Sequence, residues 1–300
     1  MTTNTNRLIV LQGPTGVGKT AAGVVLARHF GAPVVSADSR QVYREMAIGT
    51  AAPSVAEQEG VPHYFIRNKS IHDPFTAGDY EREALALLDD ELFPTTPNVL
   101  LVGGSGLYVQ ALLEGFDELP EADPALRAEL AATPLPVLVE ELRRCDPDYY
   151  RTVDRQNPQR VVRAVEVCRL SGRPYSAQRS GRSKKRNFAP VKIGLDLPRE
   201  VLYERIDRRV EVMLAEGLLA EAERLYPHRT LPALQTVGYR ELFDCFDGKI
   251  ALAEAVERIK RNTRRYAKRQ LTWLRRDPQI RWFAPDDCRG MIDYLNGWVV

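Results

Sequence analysis

Cysteine is scarce in this chain: Cys145, Cys168, Cys245 and Cys288 lie far apart, with no C-x-x-C pair. That spacing suits neither a disulfide framework nor a zinc site, so all four read as reduced thiols of a cytoplasmic protein. Long apolar runs are also missing. No stretch approaches the about 18 apolar residues of a bilayer span, so no membrane association is expected. The opening MTTNTNRLIVLQG has too short an apolar stretch before its glycine for a secretory signal. There is no internal repeat, and 20 Gly and 20 Pro are ordinary usage, which excludes collagen-like and low-complexity classes. What remains is a globular composition over 300 residues, enough for one large domain or two modest ones.

The net charge of +2 hides an asymmetry. Residues 1–150 carry 11 Lys and Arg against 21 Asp and Glu, and residues 151–300 carry 31 against 19. A basic back half points to a polyanionic partner. Two stretches concentrate it: Arg169–Lys192 has eight basic residues and no acid, and Glu257–Arg281 has ten against two. Solvated helix faces are the plainer explanation for such runs taken alone.

Hydrophobic patterning gives the architecture. Leu8–Leu11, Pro33–Ala37 and Asn98–Val102 read as buried strands, separated by helical periodicity at Thr20–Phe30 and Phe75–Phe93. Strands alternating with helices predict an α/β fold, a mainly parallel sheet flanked by helices. From 116 to 190 the pattern turns to short helices punctuated by Asp123-Pro124, Pro134, Pro136 and Asp146-Pro147, with no strand candidate. A strand returns at Val191–Leu197. The expected organisation is therefore a core formed by 1–115 and 191–300, ending in basic helices, with an all-helical insertion at 116–190.

The sharpest motif is Gly13-Pro14-Thr15-Gly16-Val17-Gly18-Lys19-Thr20, which fits G-x-x-x-x-G-K-[ST] between an apolar strand and a helix. Glycines let successive N–H groups converge on an anion, and the helix N-terminus adds its dipole. Lys19 supplies a point charge, and the Thr20 hydroxyl can ligate Mg²⁺. A P-loop NTPase-like core binding a diphosphate or triphosphate follows. A hydrolase of this kind wants an acid at the end of a buried strand, yet Asn98–Val102 runs into Gly103-Gly104-Ser105-Gly106. The available acid is Asp38, at the end of the second strand. It reads either as a base or metal-associated group facing the phosphate site, or as a cap for the turn that follows.

The ordered set formed by Gly13–Thr20, Ser36–Tyr43, Ile48–Ala51, Gly103–Tyr108, Asn157–Glu166, Val237–Arg240 and Lys268–Arg275 resembles the tRNA dimethylallyltransferases over nearly the whole chain. The resemblance implies transfer of a dimethylallyl group from dimethylallyl diphosphate to N6 of the adenosine 3′-adjacent to the anticodon (position 37) in tRNAs reading codons that begin with U. It implies Mg²⁺ as cofactor and the anticodon stem-loop of tRNA as partner. A P-loop that holds a leaving pyrophosphate needs no hydrolytic water, so the missing acid ceases to be a defect.

By the same resemblance Asp38 accepts the proton of the attacking amino group, while Lys19, Thr20 with its metal, and an arginine stabilise the departing charge. Arg205 and Arg209, four residues apart on one helical face, both fit that arginine's place. The tRNA-facing positions implied are Asp38, Ser39, Arg40, Gln41, Ser105, Arg127, Gln159, Arg160, Val161, Val162, Arg163, Thr236, Val237, Gly238, Tyr239, Arg240, Glu241, Lys268, Arg269, Gln270, Trp273 and Arg275. Trp273 fits a base stack or a core packing position; Arg179–Arg186 reads as a basic loop for phosphates. Three positions depart from the family pattern: Ser105 stands for threonine, Ala52 for lysine and Asn157 for aspartate. Nothing demands more than a monomer. Rival readings are an isopentenyltransferase acting on free AMP or ATP, a small-molecule kinase, and an RNA-binding module with a regulatory P-loop. The first of these needs neither a large helical insertion nor a basic back half.

Overall fold

The computed structural model describes residues 6–117, 119–179, 181 and 183–298. Six strands form one sheet: β1 (Arg7–Gln12), β2 (Val34–Ser36), β3 (His63–Tyr64), β4 (Asn98–Gly103), β5 (Ala189–Leu195) and β6 (Arg281–Phe283). Their spatial order is β3-β2-β4-β1-β5-β6, and every pairing between them is parallel. Parallel strands need covered crossovers, so both faces of the sheet are buried. Leu8 and Val10 of β1 enter the core on one face, and Ile9 and Leu11 enter the core on the other. That double burial is why the strands read as unbroken apolar runs.

The chain divides into two compact units, residues 1–113 with 185–300, and residues 114–184. The first returns ahead of the expected Val191 because Arg186 donates to Glu81 at 2.8 Å and to the Ala111 carbonyl at 2.9 Å, and Phe188 packs against Phe93. Arg186 is thus an internal anchor rather than part of a phosphate-gripping loop; Ser180 and Arg182 of that stretch lie outside the described residues.

The second unit is helical, with helices at Pro124–Ala132, Leu135–Cys145, Pro147–Thr152 and Pro158–Ser171. Three of them begin as their sequences dictate. Asp123, Asp146 and Asn157 accept backbone N–H bonds at the cap, and a proline fills the first helical position, where no donor is needed. Leu130, Leu138, Leu142, Val161 and Val165 form this unit's own core. Among the described residues, no helix is long and apolar enough to cross a membrane.

Candidate active site

The carboxyl ends of β1, β2 and β4 open onto a cavity of about 860 Å³, where an open α/β sheet receives its ligands. The floor is the loop after β1. Gly16 and Gly18 adopt φ of 81° and 108°, a left-handed backbone that side chains disfavour, and Gly18 leads directly into the Lys19–Phe30 helix. Lys19 Nζ donates to the carbonyls of Gly13 (3.0 Å) and Pro14 (2.9 Å), which holds the ammonium over the loop. Burial pulls the Lys19 pKa down to about 8; nearby Asp38 opposes that fall and Arg209 adds to it. Thr15, Gly16, Gly18 and Thr20 line the same cavity; Gly13, Pro14 and Val17 are buried behind them.

Asp38 stands at the opposite wall, just past β2. Its Oδ1 accepts the N–H groups of Arg40 (2.9 Å) and Gln41 (3.2 Å), and among the described residues Oδ2 has no hydrogen-bond partner. One oxygen thus caps the turn, as the capping reading expects, and the residue also lines the cavity. Ser105 fixes this turn from the next strand end: its Oγ accepts from Ser39 N–H at 2.9 Å. Gln41 ties in the Ile48–Ala51 turn by donating to Thr50 and Ala51 carbonyls.

The Arg199–Ala215 helix brings Arg205, Arg208 and Arg209 to the cavity. Arg205 donates to the Val17 carbonyl at 3.3 Å, at the edge of the phosphate loop. Among the described residues Arg209 makes no hydrogen bond or ion pair, and burial lowers its pKa, countered by Glu57 and Asp38. Three further residues of the helix, Ile206, Val210 and Met213, combine with Leu218 and Ile259 into an apolar wall.

The Leu252–Leu274 helix closes the remaining side. Ile259, Thr263, Tyr266 and Gln270 recur at spacings of four, three and four, so one stripe faces the cavity. Gln270 Oε1 accepts Thr15 N–H at 2.9 Å while Nε2 donates to the Gly104 carbonyl at 2.9 Å, joining the β1 loop to the β4 loop. Tyr266 is the cavity's only aromatic lining residue among those described. Burial and the field of Asp38 push its phenol up to about 12, while Arg40, Arg269 and a hydrogen bond with Ser105 work the other way.

Several sequence expectations need correction. Tyr239 is fully buried, its hydroxyl donating to Glu221 at 2.7 Å, and Glu221 also accepts from the N–H groups of Ile48 and Gly49. Glu241 is 7% exposed and caps Gly238 N–H at 2.9 Å. Neither side chain faces RNA; they build the wall that presents Thr236, Val237 and Gly238 to the cavity. Val161 lies in the core of the second unit. Gln270 turns inward as the bridge just described. Trp273 crosses the face of Gly106 and remains 40% exposed, which removes it from the core.

Other predicted residues are placed as follows. Arg40 lines the cavity; Arg240, Lys268 and Arg269 are exposed, and Arg275 pairs with Asp196 at 2.7 Å. In the second unit Gln159 and Arg160 are exposed, and Val162 is half-buried. Arg127 and Arg163 both bind the fully buried Glu166, at 2.8 Å and 2.6 Å. Residues that sequence reasoning passed over are Tyr266, Arg208 and Glu221. The first could have been found from the helical stripe it shares with Gln270.

A strand, a glycine-rich loop of the P-loop type and an acid just past the second strand define a P-loop-type α/β protein in which the acid and the loop line one cavity with an apolar wall. A model of the family "IPP transferase" matches residues 41–277. The tRNA dimethylallyltransferases of Flavobacterium johnsoniae and Cytophaga hutchinsonii are 52% and 49% identical to the chain, over 92% and 96% of both sequences. The crystal structure of the tRNA isopentenylpyrophosphate transferase of Bacillus halodurans superposes with a TM-score of 0.73 at 38% identity, covering 97% of this chain and 96% of that one. A eukaryotic dimethylallyltransferase acting on tRNA gives 0.75 at 28% identity, over 90% of this chain and 70% of its own. The chain belongs to the IPP transferase family.

Proposed function

We propose that this prenyltransferase moves a dimethylallyl group from dimethylallyl diphosphate to N6 of the adenosine at position 37 of tRNAs reading codons that begin with U. It releases diphosphate and acts as a single chain in the cytoplasm. One observation carries the reading: the cavity that holds Lys19 and four arginines also holds a carboxylate oxygen without a hydrogen-bond partner among the described residues, and an apolar wall. Anion site, proton acceptor and hydrocarbon site are the three parts that alkyl transfer from a diphosphate requires.

In this account the diphosphate rests on the loop N–H groups, Lys19, Arg205 and Arg209, with its five-carbon chain against Ile206, Val210 and Met213. The adenine amino group attacks the first carbon of the allyl chain as the carbon–oxygen bond to diphosphate breaks. The amino proton passes to Asp38 Oδ2, and the oriented cations stabilise the growing negative charge. Tyr266 offers a ring on which the extruded base stacks. The donor set also bears on Mg²⁺. Among the described residues, no group of three His, Cys, Asp or Glu could hold a metal. Thr20 offers a single hydroxyl to the cavity, which suits a hard cation carried chiefly by diphosphate oxygens and water. Bound there, Mg²⁺ would supply charge neutralisation for the leaving group.

Gln159 and Arg160 of the helical unit, with Lys268 and Arg269 of the long basic helix, supply cations and polar groups to tRNA. The test is to incubate labelled dimethylallyl diphosphate with unmodified tRNA, with AMP and with no acceptor. Label in tRNA alone is expected. Label in AMP would identify an adenylate prenyltransferase, and ATP consumption without prenyl transfer would identify a kinase.

A further inference from the structure

A second cavity of about 680 Å³ lies at the carboxyl ends of β5 and β6, lined by residues that follow β5 (Asp196–Arg199), residues from the end of β6 (Trp282, Phe283, Ala284) and the flank of the Leu252–Leu274 helix. It shares that helix with the reaction cavity: Tyr266 and Gln270 face one space, Lys268 and Leu271 the other. A helix is about 10–12 Å across with its side chains, so the two spaces lie within a short reach of one extended polynucleotide strand.

The lining has a distinct chemistry. Tyr203, Trp282 and Phe283 provide aromatic surface, and the Arg199 guanidinium sits 5.1 Å from the Tyr203 ring centre. Arg275 is neutralised by Asp196 at 2.7 Å. Arg199 and Lys268, both exposed, form no ion pair among the described residues. Aromatic faces beside unneutralised cations suit a planar ring joined to a phosphate. A purely apolar or a divalent-cation ligand would leave one half of the lining unmatched.

We propose that this second cavity holds a further nucleotide of the RNA substrate, its base against Tyr203 and Trp282 and its phosphate between Arg199 and Lys268. The inference rests on the tRNA reading above and adds a site outside the reaction cavity. Placing one base there while another enters the reaction cavity would hold the anticodon loop open at two points.

The test measures binding of an unmodified anticodon stem-loop to the full chain across a salt series, with prenyl transfer by the wild type scored in parallel. Arg199→Ala with Lys268→Ala is expected to weaken RNA binding at least tenfold and to reduce the log Kd against log salt slope by about 1.4, leaving dimethylallyl diphosphate affinity unchanged. Tyr203→Leu is expected to weaken binding at least fivefold with the slope intact; the two exposed cations carry the test alone if that variant does not fold. Wild-type RNA affinity and slope in the charge variant would overturn the proposal. So would saturable binding of AMP or UMP that needs Arg199 and Lys268 but leaves RNA binding undisturbed. Absence of prenyl transfer by the wild type would instead overturn the functional reading.

Discussion

At Lys19, burial and charge pull in opposite directions, and the balance falls near neutrality. Its pKa of about 8 reflects desolvation first, with Asp38 supporting the charge and Arg209 opposing it. The protonated form is the one that binds an anion. Affinity of the free protein for inorganic pyrophosphate is therefore expected to be flat below about pH 7 and to fall toward tenfold per pH unit above about 8. Calorimetry across pH 6–9.5 checks this, and a flat profile would place the Lys19 charge outside phosphate binding. Identity at this scale was readable where the backbone forces a residue type. Gly16 and Gly18 hold positive φ, and the lysine after them folds back onto the Gly13 and Pro14 carbonyls. It was not readable for Tyr239 and Glu241, whose types suit an RNA surface as well as the buried network they join. Nor does a string of letters state that Asp38 both caps a turn and lines a cavity.

Among the elements, the loop after β1 is held from outside by a single side chain of the Leu252–Leu274 helix. Gln270 satisfies Thr15 N–H and the Gly104 carbonyl together. Its removal leaves two polar groups in a nearly closed space, at a cost of about 1–3 kcal/mol. Gln270→Ala is expected to lower stability by that amount in urea denaturation and to raise KM for the diphosphate at least threefold. Unchanged KM would show that the loop keeps its shape without the bridge. The central strands were legible because burial on both faces writes continuous apolar runs. The edges were not: β3 spans two residues and β6 three, too short for any period to register. The stretch Phe75–Phe93 read as one amphipathic helix; it is α-helical at Ala77–Ala86 and widens into a π-helical segment at Leu87–Leu92, a change in hydrogen bonding that the apolar spacing does not record.

Across the whole molecule, the charge asymmetry is the feature that the fold puts to use. The long helix leaves Lys268 exposed on the second cavity, without an ion pair among the described residues, while the helical unit spends Arg127 and Arg163 on buried Glu166 and leaves Arg160 exposed. The basic count of the sequence therefore overstates the cations open to RNA. Arg160→Glu is expected to weaken tRNA binding about five- to tenfold and to flatten its salt dependence, with diphosphate affinity unchanged. Filter binding at several salt concentrations measures both effects. Wild-type values for affinity and slope would remove Arg160 from the RNA surface.

The central claim is that Asp38 accepts a proton from the base while the phosphate loop retains the leaving group. Single-turnover mixing of protein loaded with labelled dimethylallyl diphosphate against an unmodified anticodon stem-loop tests it most directly. In the wild type, prenylated RNA and free diphosphate are expected to appear together, and only when RNA is added. In Asp38→Asn, substrate is expected to bind normally and transfer to slow by about 10²–10⁴. Transfer by Asp38→Asn at the wild-type rate, or diphosphate release by the wild type without RNA, would contradict the account.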